Sequence, residues 1–290
     1  MRLLWTCLIA ALLGFLTAPC QAQEVMQFPS LEDNGPGQAS TVLNGYLFRP
    51  AGEGPHPAIV GLHGCSGMLA PGSGRITPLY RAWATELANR GYVVLLVDSF
   101  DVRQHGEMCS IQGFDANLYR KRPRDAYAAL KYLQSQPFVR GDRIAAMGWS
   151  QGGGVTLYSI AERSAARPAD LPQGDFRAAI AFYPGACNEA RQPGWTSTIP
   201  LLVLTGDADV WTPMAPCKTF VDAAVARGNN IEMQIYPGAY HAFDAPNRPR
   251  AELPAYVTRA GIVPIVGTDP AARQDALARV PAFLSRYLGN

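Results

Sequence analysis

The chain has 290 residues, 48% of them hydrophobic and 17% charged, and carries a formal net charge of +2. That is enough chain to bury one large core, and α/β domains of this size are common as single units. The near-neutral balance leaves no basic footprint for DNA or RNA, so no nucleic-acid partner is expected.

The first residues read as a removable leader. Arg2 gives a positive start, Leu3 to Leu16 is an uncharged and mostly apolar run, and Ala18 to Gln23 is a small, polar exit with Ala22 before the expected cut. This is the pattern of a secretory signal peptide over residues 1–22. The apolar run is too short to span a bilayer comfortably. Cys20 raises a lipoprotein alternative, which Pro19 opposes because a small residue is wanted there. No later run is long enough for a membrane helix. Residues 23–290 are therefore expected to form a single domain, periplasmic or secreted, from a bacterial source.

Export bears on the cysteines. Beyond the leader stand Cys65, Cys109, Cys187 and Cys217. An even number in an exported chain points to disulfides, and four cysteines allow three connectivities. The pairs Cys65–Cys109 and Cys187–Cys217 are favoured because each lies on loops that should follow neighbouring strands. Buried free thiols are the alternative. No Cys-x-x-Cys or His-x-x-x-His spacing suggests a metal, and no cofactor is expected.

In chain order, residues 23–38 are polar and read as an extended lead-in. Val42 to Phe48 suits a strand, a turn follows at Ala51 to Pro57, and Ala58 to Leu62 is a continuous apolar strand ending in His63-Gly64-Cys65-Ser66-Gly67. Leu79 to Arg90 is a helix with Leu79, Trp83 and Leu87 on one face, and Gly91 is placed to cap it. Tyr92 to Val97 is a second apolar strand. An irregular loop covers Asp101 to Gly113, and a helix is expected from about Pro123 to Gln134. Further strands fall at Ala178 to Phe182, Ile199 to Thr205 and Ile231 to Tyr236. Helices fall at Ala215 to Arg227 and Ala271 to Leu288. Apolar strands alternating with helices imply a mostly parallel, doubly wound sheet with helices on both faces, an α/β class fold. Residues 244–269 form one long irregular stretch that either lies over the site or packs beside it.

The stretch from Asp142 to Gly154 carries the chemistry. Ile144 to Met147 is a short apolar strand, Gly148-Trp149-Ser150-Gln151-Gly152 breaks it, and Val155 to Ile160 suits a helix. Strand, Gly-x-Ser-x-Gly, helix is the signature of a nucleophile elbow. The turn is so tight that side chains at 148 and 152 would strike backbone, which explains both glycines. Ser150 is the candidate nucleophile.

The other candidates fall just after strands, and in a doubly wound sheet those ends form one rim. The chain has four histidines, and only His241 follows Ser150. It is the candidate base, since the chain order on this architecture is Ser, then Asp or Glu, then His. Asp207 and Asp209 both follow the strand between them. Asp209 is favoured as the acid because the preceding residues give it room to reach the imidazole, while Asp207 is expected to cap its own turn. The backbone N–H groups of Cys65 and Gln151 are the candidate oxyanion hole. His63 is expected to bond within its loop. Trp149, Trp211, Tyr240 and Phe243 are candidate pocket residues.

With these residues in hand, the chain resembles the dienelactone hydrolase family of the α/β-hydrolase superfamily. The resemblance covers Val42 to Leu288 and rests on Leu62–Gly67, Val97–Phe100, Gly148–Gly153, Tyr183–Gly185, Leu204–Pro213 and Tyr240–Asp244. It implies an α/β-hydrolase fold, a triad of Ser150, Asp209 and His241, and the Cys65 and Gln151 amides. It also implies a small-molecule ester or lactone substrate. The namesake enzymes use a Cys nucleophile where this chain has Ser150. They hold a substrate carboxylate with an Arg shortly after the His, where this chain offers Arg248, or Arg103 from another loop. An exported serine hydrolase acting on carboxylic esters or lactones is the expected function. The alternatives are a secreted polyester depolymerase or a peptidase on this fold, and, from another class, a non-catalytic binding protein.

Overall fold

The computed structural model describes residues 23–289 except Asp33 and Pro36. The expected signal peptide therefore lies outside the described residues.

Eight strands build the central sheet in the order β1-β2-β4-β3-β5-β6-β7-β8. They are β1 (Glu24–Pro29), β2 (Val42–Phe48), β3 (His56–Leu62), β4 (Val93–Asp98), β5 (Val139–Trp149), β6 (Ala178–Phe182), β7 (Leu201–Gly206) and β8 (Ile231–Tyr236). β1 pairs with β2, and β2 with β4, antiparallel. From β4 to β8 the pairing is parallel. The central strands are apolar on both sides because helices cover both faces. On one face lie α1 (Pro78–Asn89) and α5 (Pro270–Leu288), which pack Trp83, Leu87, Phe283 and Leu284 onto the sheet. On the other lie α2 (Ala116–Gln134), α3 (Gln151–Ile160) and α4 (Met214–Ala226), with Leu130, Val155, Leu157 and Phe220 inward. Each such fully buried side chain contributes about 1.5–3 kcal/mol.

Three elements depart from the sequence expectation. α2 begins seven residues before Pro123, capped by Asp115, whose carboxylate accepts from the N–H groups of Asn117 and Leu118. Pro123 looks like a helix start because its missing N–H costs nothing in a first turn; here the helix runs through it. Residues 244–269 carry a small hairpin, β9 (Ala251–Glu252) with β10 (Ile265–Val266). A bridge between Val266 and His241 ties that hairpin to the loop after β8.

The third departure is the polar lead-in. It contains edge strand β1, and Glu32 beyond it is buried. Glu32 Oε2 lies 3.0 Å from Arg103 Nη2 and 3.2 Å from Lys121 Nζ. Arg103 in turn forks onto Asp125, with both oxygens at 2.9 Å, and Asp125 also accepts from the Ser30 hydroxyl. Burial opposes ionisation of Glu32, but bonds from Thr41 and Asn34 and the Arg103 charge prevail, lowering its pKa from 4.5 to about 2. A carboxyl whose pKa is depressed in the folded state stabilises the fold above its unfolded value, and the gain is lost as pH falls through the folded value. Glu32→Gln should therefore cost about 2 kcal/mol at pH 7. In urea melts the difference from wild type should shrink as pH drops from 4.5 towards 2. A penalty independent of pH would contradict this account.

Candidate active site

Ser150 stands between β5 and α3 with φ 54° and ψ −117°, a positive-φ conformation that non-glycine residues avoid. The turn is held by its surroundings. Ser150 N–H donates to the Phe182 carbonyl at 2.9 Å, and the Ser150 carbonyl accepts from Gly154 and Gly185. A Cβ on Gly148 would lie 2.1 Å from the Gly152 oxygen, and one on Gly152 would lie 2.1 Å from the Leu62 oxygen. Neither contact is survivable, so both glycines are required by close backbone approach. Tyr183 and Ala242 also take positive φ, so backbone strain gathers around this one rim.

Asp209 and His241 meet at the ends of β7 and β8. Asp209 Oδ2 is 2.7 Å from His241 Nδ1, and both residues are buried. The other carboxylate oxygen accepts from the N–H groups of Trp211 and Thr212 at 2.8 and 3.0 Å. The Thr212 hydroxyl donates to Oδ2 at 2.8 Å. Burial raises the cost of charge on Asp209, yet the His241 imidazole and the Thr212 bonds hold its carboxyl below the usual carboxylate range. Asp207 is placed differently: it is exposed, and its Oδ1 accepts from Gly238 N–H rather than from its own turn.

Ser150 borders a cavity of about 920 Å3, whose wall also includes Gln151, Trp211 and Thr212, the last two being neighbours of Asp209 and His241. The Trp211 and Tyr183 rings flank His241 at 4.9 and 4.4 Å. The loop after β3 passes close by: a Cβ on Gly64 would be 3.4 Å from the Ser150 Cβ. Among the described residues, neither the Cys65 nor the Gln151 amide is used in a turn or loop bond. His63 is fully buried, with Nδ1 2.7 Å from the Gly64 carbonyl and Nε2 accepting from Ser99 N–H. These partners assign the proton to Nδ1. Burial, and then the nearby Arg122 charge, hold its pKa well below the ordinary histidine value. With both nitrogens engaged, His63 is a loop-ordering group and not a second base.

Of the four candidate pocket residues, Trp211 lines the cavity. Trp149 and Phe243 do not, because both are buried behind the site in the aromatic layer under α1 and α5. Tyr240 is half-buried beneath the Arg250 guanidinium, 4.3 Å from its ring centre, and is not part of the cavity wall. Arg103 is committed to Glu32 and Asp125, and Arg248 does not line the cavity. Both disulfides form as expected, Cys65–Cys109 and Cys187–Cys217. Among the described residues no cluster of His, Cys, Asp and Glu suits a metal ion.

Two residues that support the site went unrecognised in the sequence. Asp244 is fully buried and accepts from Trp83 Nε1, Trp149 Nε1 and the Tyr183 hydroxyl at 2.7–2.9 Å. It thereby joins α1, β5 and the first residue after β6, three residues after His241. Arg122 is also fully buried, and bonds Gln151 and the His63 carbonyl. A signal for Arg122 did exist. It shares a helix face with Ala126, Leu130 and Leu133, so it is a charge on a core-facing stripe. Starting the helix at Pro123 hid it.

Asp209→Asn should lower kcat by about 10³–10⁴-fold, because it leaves the imidazole in the wrong tautomer. Asp207→Asn should leave kcat within about threefold, as an exposed substitution. Ester turnover by the two variants checks this, and a reversed order would assign the acid to Asp207.

The Dienelactone hydrolase family model matches residues 43–288. A probable 2-oxo-3-(5-oxofuran-2-ylidene)propanoate lactonase from Bradyrhizobium sp is 27% identical over 205 residues, 68% of this chain and 77% of the lactonase. Cutinase 1 of Thermobifida cellulosilytica is 26% identical over 58% of this chain, and the match spans 57% of the cutinase. Among solved structures, the dienelactone hydrolase-like promiscuous phosphotriesterase P91, from metagenomic libraries, superimposes with a TM-score of 0.64 at 21% identity. That match covers 93% of this chain and 100% of P91, and it shows the shared fold. The chain belongs to the dienelactone hydrolase family and is a carboxylic ester hydrolase of the α/β-hydrolase fold.

Proposed function

We propose that this protein is an exported serine hydrolase that cleaves carboxylic esters or lactones through Ser150, His241 and Asp209. The observation that carries this reading is the Asp209–His241 bond of 2.7 Å, held against Thr212 and Trp211, which line the same cavity as strained Ser150. His241 takes the Ser150 proton as Oγ attacks the carbonyl carbon. The Cys65 and Gln151 amides hold the tetrahedral oxyanion. The bond to the leaving alkoxide then breaks, and His241 gives that oxygen the proton. Water attacks the acyl-enzyme in the same way, returning the acid and free Ser150. Asp209 orients the imidazole and stabilises its charged form. The leader-like first 22 residues and the two disulfides support export.

The cavity wall also bears on substrate charge. Arg120, Arg124, Arg163 and Arg191 line it, and no Asp or Glu does. Among the described residues, none of the four pairs with a carboxylate. An ester or lactone bearing a negative charge fits this wall better than a neutral polyester, and a peptide amino terminus finds no acid there. The similar lactonase is named for a propanoate, itself an anion.

Purified mature protein should hydrolyse 4-nitrophenyl acetate, and Ser150→Ala should be inactive and no longer labelled by a fluorophosphonate probe. Equal turnover by the two would overturn the nucleophile. In a second comparison, the mono-4-nitrophenyl ester of glutarate should be preferred over 4-nitrophenyl butyrate by about tenfold in kcat/KM. The preference should fade at high salt and in Arg124→Gln/Arg191→Gln. A preference for the neutral ester would favour the polyester reading.

A further inference from the structure

Arg122 is a charge in the protein interior that, among the described residues, is bonded to no carboxylate. Its side chain is fully buried in α2. Nη1 donates to Gln151 Oε1 at 2.6 Å, and Nη2 donates to the His63 carbonyl at 2.5 Å. The guanidinium lies 5.1 Å from the centre of the Phe100 ring, a favourable cation–π placement. Its Nε has no partner among the described residues. The nearest acid on its own helix, Asp125, is already forked by Arg103. Burial lowers the Arg122 pKa to about 10, so the group is still a cation at neutral pH.

A buried cation with no carboxylate bonded to it costs folding free energy. Its two bonds go to the two backbone segments that supply the oxyanion amides. One arm holds the residue after Ser150 by its side chain. The other holds the first residue of the His63-Gly64-Cys65 loop. The hydrogen bonds then run on in one direction. Arg122 donates to His63 O, His63 Nδ1 donates to Gly64 O, and Gly64 O belongs to the peptide unit whose N–H is that of Cys65. A donor on the carbonyl of a peptide polarises its N–H. Burial, and then the same positive charge, keep His63 neutral, which preserves Nε2 as the acceptor for Ser99 N–H and leaves the proton on Nδ1.

We propose that Arg122 is the positioning residue of the oxyanion site: it locks the Cys65 and Gln151 amides in register and sets a fixed positive charge behind the point where negative charge develops. Arg122 does not touch substrate. This rests on the oxyanion reading above, and its gain is realised in the transition state and not in substrate binding.

The test uses the mature, disulfide-bonded protein, with active sites counted by fluorophosphonate titration. Arg122→Met should lower kcat per titrated site on 4-nitrophenyl acetate by about 10–100-fold, the lower end of what losing a direct donor costs. KM should stay within about threefold, because ground-state binding is untouched. The Ki of a boronic acid, whose tetrahedral adduct places an oxygen in the hole, should rise in parallel with the loss of kcat/KM. Arg122→Lys retains the charge without the fork and should recover part of the loss. Gln151→Ala cuts one arm at a partly exposed residue and should cost severalfold in kcat even if Arg122→Met does not fold. Unchanged kcat per site in Arg122→Met or, failing its folding, in Gln151→Ala would overturn the proposal. So would a loss carried wholly by KM. Failure of the underlying nucleophile reading is distinct, since Ser150→Ala would then remain active.

Discussion

Three backbone segments meet with no room for a side chain, and the site depends on that contact. The Gly152 carbonyl occupies the space a Cβ on Gly148 would need, and the Leu62 carbonyl occupies that of Gly152. This contact joins the end of β5, the first turn of α3 and the end of β3 into one unit. The strain at Ser150 is the result, and its stability comes from elsewhere: a sheet buried on both faces supplies the rigid frame that over-determines the turn. The β7 and β8 ends bring Asp209 and His241 to the same rim because parallel strands present all their C-terminal ends on one side.

The polar groups inside the protein follow a common plan. Glu32, Arg103 and Asp125 pin the first strand to α2. Asp244 gathers three aromatic donors beneath the site, and burial still raises its pKa despite those bonds. Arg122 joins the elbow to the loop after β3. Each is a buried charge bonded to parts of the chain far apart in sequence. Such groups stabilise little compared with an apolar replacement; what they supply is a single arrangement of the elements they join.

Most of the sheet and most of the rim can be read from the sequence, for a physical reason. Central strands are continuous apolar runs, and a parallel sheet places the loops leaving their C-terminal ends on one edge. His63, Ser150, Asp209 and His241 could therefore be located without knowing any distance. Side-chain direction was not legible in the same way. Trp149 and Phe243 sit beside functional residues in sequence but face the opposite layer, where their rings pack under α1 and α5. Strand β1 was hidden because an edge strand needs only one apolar side, and Val25 on it is exposed. Pro123 masked the start of α2, and with it the inward position of Arg122.

Cys65–Cys109 joins two loops of the rim and Cys187–Cys217 joins a loop to the first turn of α4, and Cys65, Cys109 and Cys187 all border the cavity. The sheet itself contains no cross-link among the described residues, so its assembly needs no oxidant. Shaping the mouth does. The framework is thus set by burial alone, and oxidation of thiols acts on the cavity's wall. A change in the redox state of these cysteines would therefore be felt at the cavity's wall before it is felt in the sheet.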